Sequence, residues 1–409
     1  MPRVRHDHPA ILLANLFFFC ALLPFLSPLP TDSDVQLPAF AVAAVIVGRD
    51  LLKGRFALNW VEGVFLSVAV WSLAFVLPWN PFSIRERVGI LSAFLVYYVV
   101  KKYAPRFSAR VLMVAVAVTL GSSLLQLTLP TIYETLASLV VRTVKNLSQG
   151  GRGASGPSAE PSFLASMALA HGLLLMRYYV IGRIERRTFQ IGIGMSLASL
   201  MLSKSATGFM DLAILAGIGG VYYLFRGMTV GRWVTLFVSI AALVAVILGP
   251  LAQSRGGLVV ASLYQNPGEV VGDGSAQERV RCLAIGVLSC VKYPLGVGGG
   301  GFPAVAVEMN REHRLDQVFE EARGTNLTGI LNAGGMYLAE LGVVFVVFLV
   351  IVVGASMRIE VFHLMFCVLA LLFLMFSFSV TFPLTWVLLG LAARDDFLVR
   401  RSMLMPRAA

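Results

Sequence analysis

The stretch EPSFLASMALAHGLLLMRYYVI, residues 160–181, places a carboxylate and a proline directly before an apolar run of about twenty residues. A helix of that length is long enough to cross roughly 30 Å of hydrocarbon. Pro161 suits the first helical position, because the N–H that proline lacks has no acceptor within the helix there. The stretch therefore predicts a membrane-spanning helix that begins just after Glu160.

The composition extends this prediction to the rest of the chain. The 409 residues are 57% hydrophobic and 13% charged, with a mean hydropathy of +0.80. Soluble domains carry about twice that charged fraction. We therefore predict an all-α polytopic membrane protein with about 12 transmembrane helices. The predicted spans are roughly 9–28, 36–48, 56–78, 87–101, 110–131, 161–181, 188–203, 205–225, 232–252, 333–355, 358–379 and 382–394.

The charges of the connecting segments predict the orientation of the helices. Counted alternately from an inside N-terminus, each inside loop carries Lys or Arg, whereas the outer connections SPLPTDSD and SVTFP carry neither. The positive-inside rule therefore places both termini in the cytoplasm, and these loops account for the net charge of +11 without a nucleic-acid partner. We interpret the first run as a retained helix and not a signal peptide, because it has no small-residue cleavage site. The inside loops are RDLLKGR (49–55), KKYAPRFSAR (101–110), GRIERR (182–187), RGMTVGR (226–232) and MRIE (357–360).

Two outer loops are longer than a connection needs. One runs about 132–160 and is rich in glycine, serine and basic residues, and the other runs roughly 253–332. The second contains RVRCLAIGVLSCVKYPLG, typical of an amphipathic or re-entrant helix ended by Pro294 and Gly296, and a second helix is expected near 303–322. We divide the chain into spans one to nine (1–252), a large periplasmic loop (253–332), and spans ten to twelve with a cytoplasmic tail (333–409).

Polar groups gather at the outer ends of the predicted helices. At a helix N-terminus the macrodipole favours an ionised Glu160, either as a capping acid or as a carboxylate that accepts a proton from a hydroxyl nucleophile. Lys204, in LMLSKSATGF, lies in a tight outer turn among hydroxyl groups, directly before a helix N-terminus. That setting suits a phosphate, and the alternative is a snorkelling lysine. Asp211, one or two turns below, is a candidate partner of Lys204.

Three of the arginines in the large outer loop are candidates for anion binding, because basic residues there run against the topology preference. Arg279 and Arg281 lie two residues apart in SAQERVRCL, and Arg255 lies near the start of the loop. Arginine binds diphosphate with a forked geometry, so an anionic lipid headgroup would explain these positions. The alternative is pairing with Glu278, Asp273 or the acids that follow residue 307.

The sequence predicts neither a metal nor a cofactor. It contains no CxxC pair and no HExxH, and GVGGGGF (296–302) lacks the preceding strand of a nucleotide fingerprint. Cys282 and Cys290 would lie about 12 Å apart on one helix, too far for a disulfide. His171 lies in mid-span, as a packing histidine or a proton relay.

Aromatic and amide side chains near the outer face are candidates for sugar contacts. Tyr264, Tyr293 and Trp79 suit stacking on sugar rings, and the alternative is an interfacial aromatic belt. Asn332 suits a hydrogen bond to a sugar or phosphate oxygen, and the alternative is a cap of the tenth span. Glu340, near the start of that span, is interpreted as structural.

The order of these motifs resembles the O-antigen polymerase and O-antigen ligase superfamily. The resemblance covers about 155–345 and is carried by GPSAEPSF, LSKSATG, R-x₁₄-P-L-G-V-G-x-G-x-F (279–302) and N-x₇-E-L-G (332–342). The Glu-Pro-Ser element is typical of the polymerase branch. The ligase branch usually has His-Asn where this chain has Leu331 and Asn332, which favours a polymerase with Glu160 as candidate base.

The resemblance implies a GT-C-like, metal-independent glycosyltransferase of the bacterial inner membrane. Donor and acceptor would both be glycans on undecaprenyl pyrophosphate, with a chain-length regulator and a flippase as partners. Glu160 would be the catalytic base, and Lys204 and Arg279, helped by Arg281 or Arg255, would hold the pyrophosphate. The alternatives are a ligase that moves glycan onto a lipid A core and a transporter or flippase of lipid-linked sugars. Related halves with helices broken at mid-depth would favour the transporter.

Overall fold

The computed structural model describes most of the chain. The described residues are 8–27, 37–74, 81–141, 153–225, 274–318, 332–357, 360–377 and 381–394. Within them the regular structure is helical, with one isolated bridge between Leu26 and Val141. The all-helical prediction is therefore confirmed for this part of the chain.

The first half of the chain forms nine helices within the described residues. Several begin at a proline, which needs no intrahelical acceptor at its first position, such as Pro130 and Pro161. They are α1 His8–Leu22, α2 Leu37–Leu52, α3 Trp60–Ala74, α4 Pro81–Tyr103, α5 Ala109–Thr128, α6 Pro130–Val140, α7 Pro161–Val180, α8 Arg186–Ser203 and α9 Ala206–Phe225. A short 3₁₀ turn, Ala104–Arg106, follows α4.

The second half adds seven further helices within the described residues, most of them shorter. They are α10 Gly274–Lys292, α11 Phe302–His313, α12 Leu315–Val318, α13 Ala333–Leu341, α14 Val343–Ser356, α15 Val361–Leu372 and α16 Pro383–Ala392. A π-helical turn, Phe373–Ser377, continues α15. By length and apolar composition, α5 and α7 are candidate membrane spans among the described residues, and α1, α3, α9, α14, α15 and α16 contain shorter apolar helices.

Helices lie at the predicted apolar runs, apart from 232–252, which is outside the described residues. Three details differ. The tenth run is broken into α13 and α14, because Gly342 takes a left-handed φ of 57°. The loop expected over 132–160 begins as α6, where Tyr133 and Ala137 bury one face. The helix expected near 303–322 is interrupted at the left-handed Arg314, after which α12 follows.

The core contains a cluster of aromatic rings between α3, α4, α14 and α16. Phe65 lies at its centre, with ring centroids 4.7 Å from Phe348 and 5.0 Å from Trp386. All three side chains are buried. Aromatic pairs at such distances add to the stabilisation that burial alone provides. This cluster joins helices from both halves of the chain into one bundle.

The bundle has two ends of different character. The upper end contains the start of α7, the end of α8 and the start of α9, while the lower end contains the last turns of α4, α7 and α16. Several basic residues at the lower end are paired with acids or carbonyl groups. Lys101 contacts Glu62 at 3.0 Å, Lys102 contacts Asp50 at 2.8 Å, Arg177 contacts Glu360 at 3.1 Å, and Arg394 donates to the carbonyl of Lys101.

Helices α10 and α13 approach one another at the level of their backbones. A Cβ added to Gly335 would overlap the carbonyl of Cys282, and one added to Gly286 would overlap the carbonyl of Gly335. Small residues permit such contact because no side chain separates the two helices. The crossing fixes α10 against α13 and, through it, the position of the residues at the start of α10.

The first prediction concerns this crossing. Gly335→Ala should destabilise the fold by about 1–3 kcal/mol, because overpacking forces the two backbones apart. Thermal unfolding in detergent would measure the effect as a lowered Tm. Gly354→Ala is the matched control, since a Cβ there meets no atom within 4 Å. Equal Tm values for the two variants would contradict the close crossing.

Candidate functional site

The segment before α7 is held at the upper end by a glutamine from α5. The side-chain oxygen of Gln126 accepts the backbone N–H groups of Ser155 at 2.8 Å and Gly156 at 2.9 Å. Tyr133 of α6 donates its hydroxyl to the carbonyl of Gly156, and the N–H of Ala154 donates to Leu202 of α8 at 2.8 Å. The loop that precedes Glu160 is therefore tied to three neighbouring helices.

Glu160 is the last residue before α7 and its side chain is exposed. The backbone carbonyl of Glu160 accepts the N–H groups of Phe163 and Leu164, but its carboxylate makes no capping hydrogen bond. The hydroxyl of Ser162 donates to the carboxylate at 3.3 Å. The carboxylate is thus held at a helix N-terminus with its other oxygen open to solvent or a ligand.

Lys204 joins α8 to α9 in a left-handed conformation, with φ 48° and ψ 28°. This backbone conformation is uncommon for a residue with a Cβ. The hydroxyl of Ser205 accepts the N–H of Gly208 at 3.4 Å and so satisfies one donor at the start of α9. Lys204 itself is exposed, and its ammonium group has no hydrogen-bond or ion-pair partner among the residues that the structure describes. The predicted pairing with Asp211 is absent there.

The N-termini of α7 and α9 meet because small residues separate them. A Cβ added to Gly208 would overlap the Cβ of Ala165, and one added to Gly153 would overlap the carbonyl of Ser203. Ala165 is five residues after Glu160, and Gly208 is four residues after Lys204. The structure therefore brings the predicted carboxylate and the predicted lysine to the same end of two touching helices.

Arg279 reaches this place from α10. It is partly buried, and its Nη1 donates to the Thr207 hydroxyl in the first turn of α9, at 3.3 Å. The carbonyl of Arg279 accepts the side-chain amide of Asn332 at 3.1 Å. Lys204 and Arg279 thus flank the start of α9, where free N–H groups and the helix dipole also favour an anion.

Arg281 and Asn332 both make structural contacts, and the partner of Arg281 lies away from the start of α9. Two residues along a helix turn the side chain by about 200°, so Arg281 faces away from Arg279. Its Nη2 donates to Asn310 of α11 at 2.7 Å, and the side chain is buried. The side-chain oxygen of Asn332 accepts the N–H of Gly335 at 2.9 Å, which makes it the cap of α13. The predicted residues Arg255, Tyr264 and Trp79 lie outside the described residues.

Two motifs that are distant in sequence form one structural unit at the far end of α10. The N–H of Val297 donates to Ala339 and that of Gly298 to Glu340, each at 3.0 Å. The buried carboxylate of Glu340 accepts the N–H groups of Gly300 at 2.8 Å and Phe302 at 3.4 Å. Glu340 thereby supplies a carboxylate of the protein itself at the start of α11, where the helix dipole favours an anion. This agrees with the structural role that we expected for it.

An open groove of about 410 Å³ lies at the far end of α10, between Tyr293 and the first turns of α11. Glu308 accepts hydrogen bonds from Lys292 at 2.7 Å and from the Tyr293 hydroxyl at 2.9 Å. These bonds hold the pKa of the Glu308 carboxyl below its usual range. Fourteen residues separate Tyr293 from Arg279, or about 21 Å along a helix, so this groove is distinct from the anion site.

His171 has a packing contact within the bundle. Its Nε2 lies 3.0 Å from the carbonyl of Leu22 at the end of α1, and the ring is buried. Among the described residues, no group of three or more His, Cys, Asp or Glu side chains could hold a metal ion. Cys282 and Cys290 are free thiols. The chemistry available at the upper end is therefore that of Glu160, the nearby cations and two helix N-termini.

No family model, curated protein or solved structure matches this chain. The geometry at the upper end must therefore carry the functional assignment. Sequence reasoning overlooked Gln126, although a glutamine within an apolar run was a signal that it bonds to a neighbouring segment. It also overlooked Asn310 as the partner of Arg281.

The second prediction separates capping from substrate binding at Asn332. Asn332→Ala should lower stability by about 1–2 kcal/mol, because α13 loses its cap. Asn332→Ser keeps a capping oxygen but lacks the amide that holds the Arg279 carbonyl, so it should recover part of the Tm. Thermal unfolding of the three proteins in the same detergent measures this order. Equal Tm values for the Ala and Ser variants would argue against the capping role.

Proposed function

We propose that this chain is a polytopic membrane glycosyltransferase that polymerises glycan repeat units carried on undecaprenyl pyrophosphate. The observation that carries the proposal is the place of Glu160, Lys204 and Arg279 at the starts of α7 and α9, two helices that touch at Ala165 and Gly208. One carboxylate and two cations are the groups needed when a hydroxyl attacks a sugar as a diphosphate leaves. The motif resemblance over about 155–345 points to the same reaction.

Exposed apolar side chains support a membrane location. Helix α5 is long enough to cross a membrane, and Val114, Leu124 and Leu127 on its surface are about half exposed. Contiguous exposed apolar surface is rare on soluble monomers. Helix α6 continues this surface with Ile132, Leu136 and Leu139, while its other face carries Thr131, Glu134, Thr135 and Ser138. Such a helix suits the boundary between lipid and water beside the proposed site.

The basic lower end supports the orientation. Lys101, Lys102, Arg177 and Arg394 lie there, close to the short loops that the positive-inside rule assigns to the cytoplasm. The site at the opposite end then faces the periplasm. That side is where a lipid-linked glycan would be extended without access to cytoplasmic nucleotide sugars.

In the proposed reaction, a hydroxyl of the acceptor sugar attacks the anomeric carbon of the donor glycan. A new C–O bond forms, and the bond between that carbon and the diphosphate oxygen breaks. Glu160 accepts the proton of the hydroxyl and later returns it to solvent. The electron pair of the broken bond leaves with undecaprenyl pyrophosphate, and Lys204 and Arg279 stabilise the added negative charge.

The third prediction tests Glu160 as the base. Glu160→Gln should reduce chain extension by about 10²–10⁴-fold, because the amide cannot accept the proton. Glycan ladders from a deletion strain that carries the variant measure extension, and immunoblotting of membranes confirms insertion. Glu134→Gln, an exposed acid on α6, is the control. Normal ladders with Glu160→Gln would remove this residue from the mechanism.

The deletion strain itself separates polymerase from ligase. A lipid A core that carries a single repeat unit is expected, because ligation continues when polymerisation is lost. A core without any repeat unit would instead assign the chain to the ligase reaction and would overturn the polymerase proposal.

The fourth prediction tests the anion site. Lys204→Ala and Arg279→Ala should each weaken binding of undecaprenyl pyrophosphate by about 10- to 100-fold, the loss expected for a charge-assisted hydrogen bond. Titration of the detergent-solubilised protein measures Kd. Arg311→Ala removes an exposed cation from α11 and should leave Kd unchanged. Unchanged affinity in both site variants would leave the anion site without support.

A further inference from the structure

A buried acid lies beside the proposed anion site, on the same face of α9 as Thr207. Asp211 is four residues after Thr207, so the two side chains are neighbours on the helix surface. Arg279 donates to the Thr207 hydroxyl at 3.3 Å, which places its guanidinium about one helical turn from Asp211. The guanidinium of Arg279 therefore lies where both a bound diphosphate and Asp211 can attract it.

The surroundings of Asp211 are unusual for an acid. Its side chain is 1% exposed, and its Oδ2 has no hydrogen-bond partner in the structure. A buried carboxylate is costly unless a cation compensates it. Lys204, the other cation of the site, is exposed in its turn. Arg279, held at Thr207 one helical turn away, is thus the cation of the site that is placed to compensate Asp211.

We propose that Asp211 is the resident counter-ion of Arg279 and competes with the substrate diphosphate for its guanidinium, an inference that rests on the proposed function. With the site empty, Asp211 holds Arg279 over the start of α9. When the diphosphate binds, the guanidinium is shared with the phosphate oxygens. After the sugar has been transferred, Asp211 recovers Arg279 and promotes release of undecaprenyl pyrophosphate.

This role makes Asp211 a positioning residue with a distinctive signature. A purely structural acid would weaken binding when removed, because Arg279 would lose its orientation. A competing counter-ion would instead strengthen binding when neutralised, because the diphosphate would no longer share the guanidinium. Turnover would then fall, since a product that binds more tightly leaves more slowly.

The experiment compares Asp211→Asn with the natural protein, using undecaprenyl pyrophosphate in detergent and inorganic pyrophosphate as the headgroup probe. Asp211→Asn should lower both Kd values by about tenfold, which corresponds to about 1.4 kcal/mol. In steady-state polymerisation, KM and kcat should fall together. Adding Arg279→Ala to the variant should abolish most of the gain, because the competition acts through that guanidinium.

Glu134→Gln is the matched control, since it removes one exposed negative charge from the same end of the bundle. An equal gain in affinity from Glu134→Gln would assign the effect to net charge and overturn the proposal. Unchanged or weaker binding by a stably folded Asp211→Asn protein would also overturn it. If Lys204→Ala and Arg279→Ala leave the Kd unchanged, the anion site of the proposed function fails. If they weaken binding and Asp211→Asn brings no gain, the counter-ion role alone fails.

A stability measurement keeps the proposal testable if Asp211→Asn folds poorly. The counter-ion role predicts that Arg279→Gln restores much of the Tm that Asp211→Asn loses, because the double variant buries neither charge alone. Independent losses that simply add in the double variant would show that the two residues do not interact, and would overturn the proposal.

Discussion

The close approach of α7 and α9 is the constraint on which the upper end of the bundle depends. Gly208 leaves room for Ala165 at the crossing, and a larger residue would separate the two helix starts. Because each start carries unsatisfied N–H groups and a partial positive charge, bringing them together concentrates an anion-favouring field in one place. Glu160 and Lys204 lie beside that crossing, so a contact between two small residues positions the polar groups.

A second set of backbone contacts fixes Arg279 from the other side. The glycine crossing of α10 with α13 leaves no side chain that could adjust, and Asn332 holds the carbonyl of Arg279 itself. At the far end of α10, the buried carboxylate of Glu340 binds the start of α11. Arg279 is therefore anchored through its backbone, and its side chain can respond to what occupies the site.

The sequence predicts the helices well and their interruptions poorly, for a physical reason. Apolar length and terminal prolines are local properties, so the runs and the start of α7 at Pro161 could be predicted. The break at Gly342 depends on a distant partner, because the backbone N–H of the next residue, Val343, donates to the carbonyl of Pro294. Helix α6 was overlooked because its buried face is only Tyr133 and Ala137.

The same distinction applies to the site. Glu160, Lys204 and Arg279 were predicted because each combines charge with a place next to a helix end. That the three residues lie at one end of the bundle was expected from the motif resemblance, not from the residues alone. Asp211 was considered a candidate partner of Lys204 because the two are close in sequence, whereas the cation that the structure holds at Thr207, one helical turn from Asp211, is Arg279. A partner supplied by a distant helix cannot be deduced from spacing within one motif.

Lys204 differs in its pairing from several cations of the lower end, and this difference bears on the proposed function. At the lower end Lys101, Lys102 and Arg177 each have an acid within 3.1 Å. Lys204, at the upper end, is exposed and has no hydrogen-bond or ion-pair partner among the described residues. Cations that are already neutralised stabilise a fold, but they gain little from an added anion. Lys204 therefore retains most of its capacity to bind one, which is the property that the proposed site for a departing diphosphate requires.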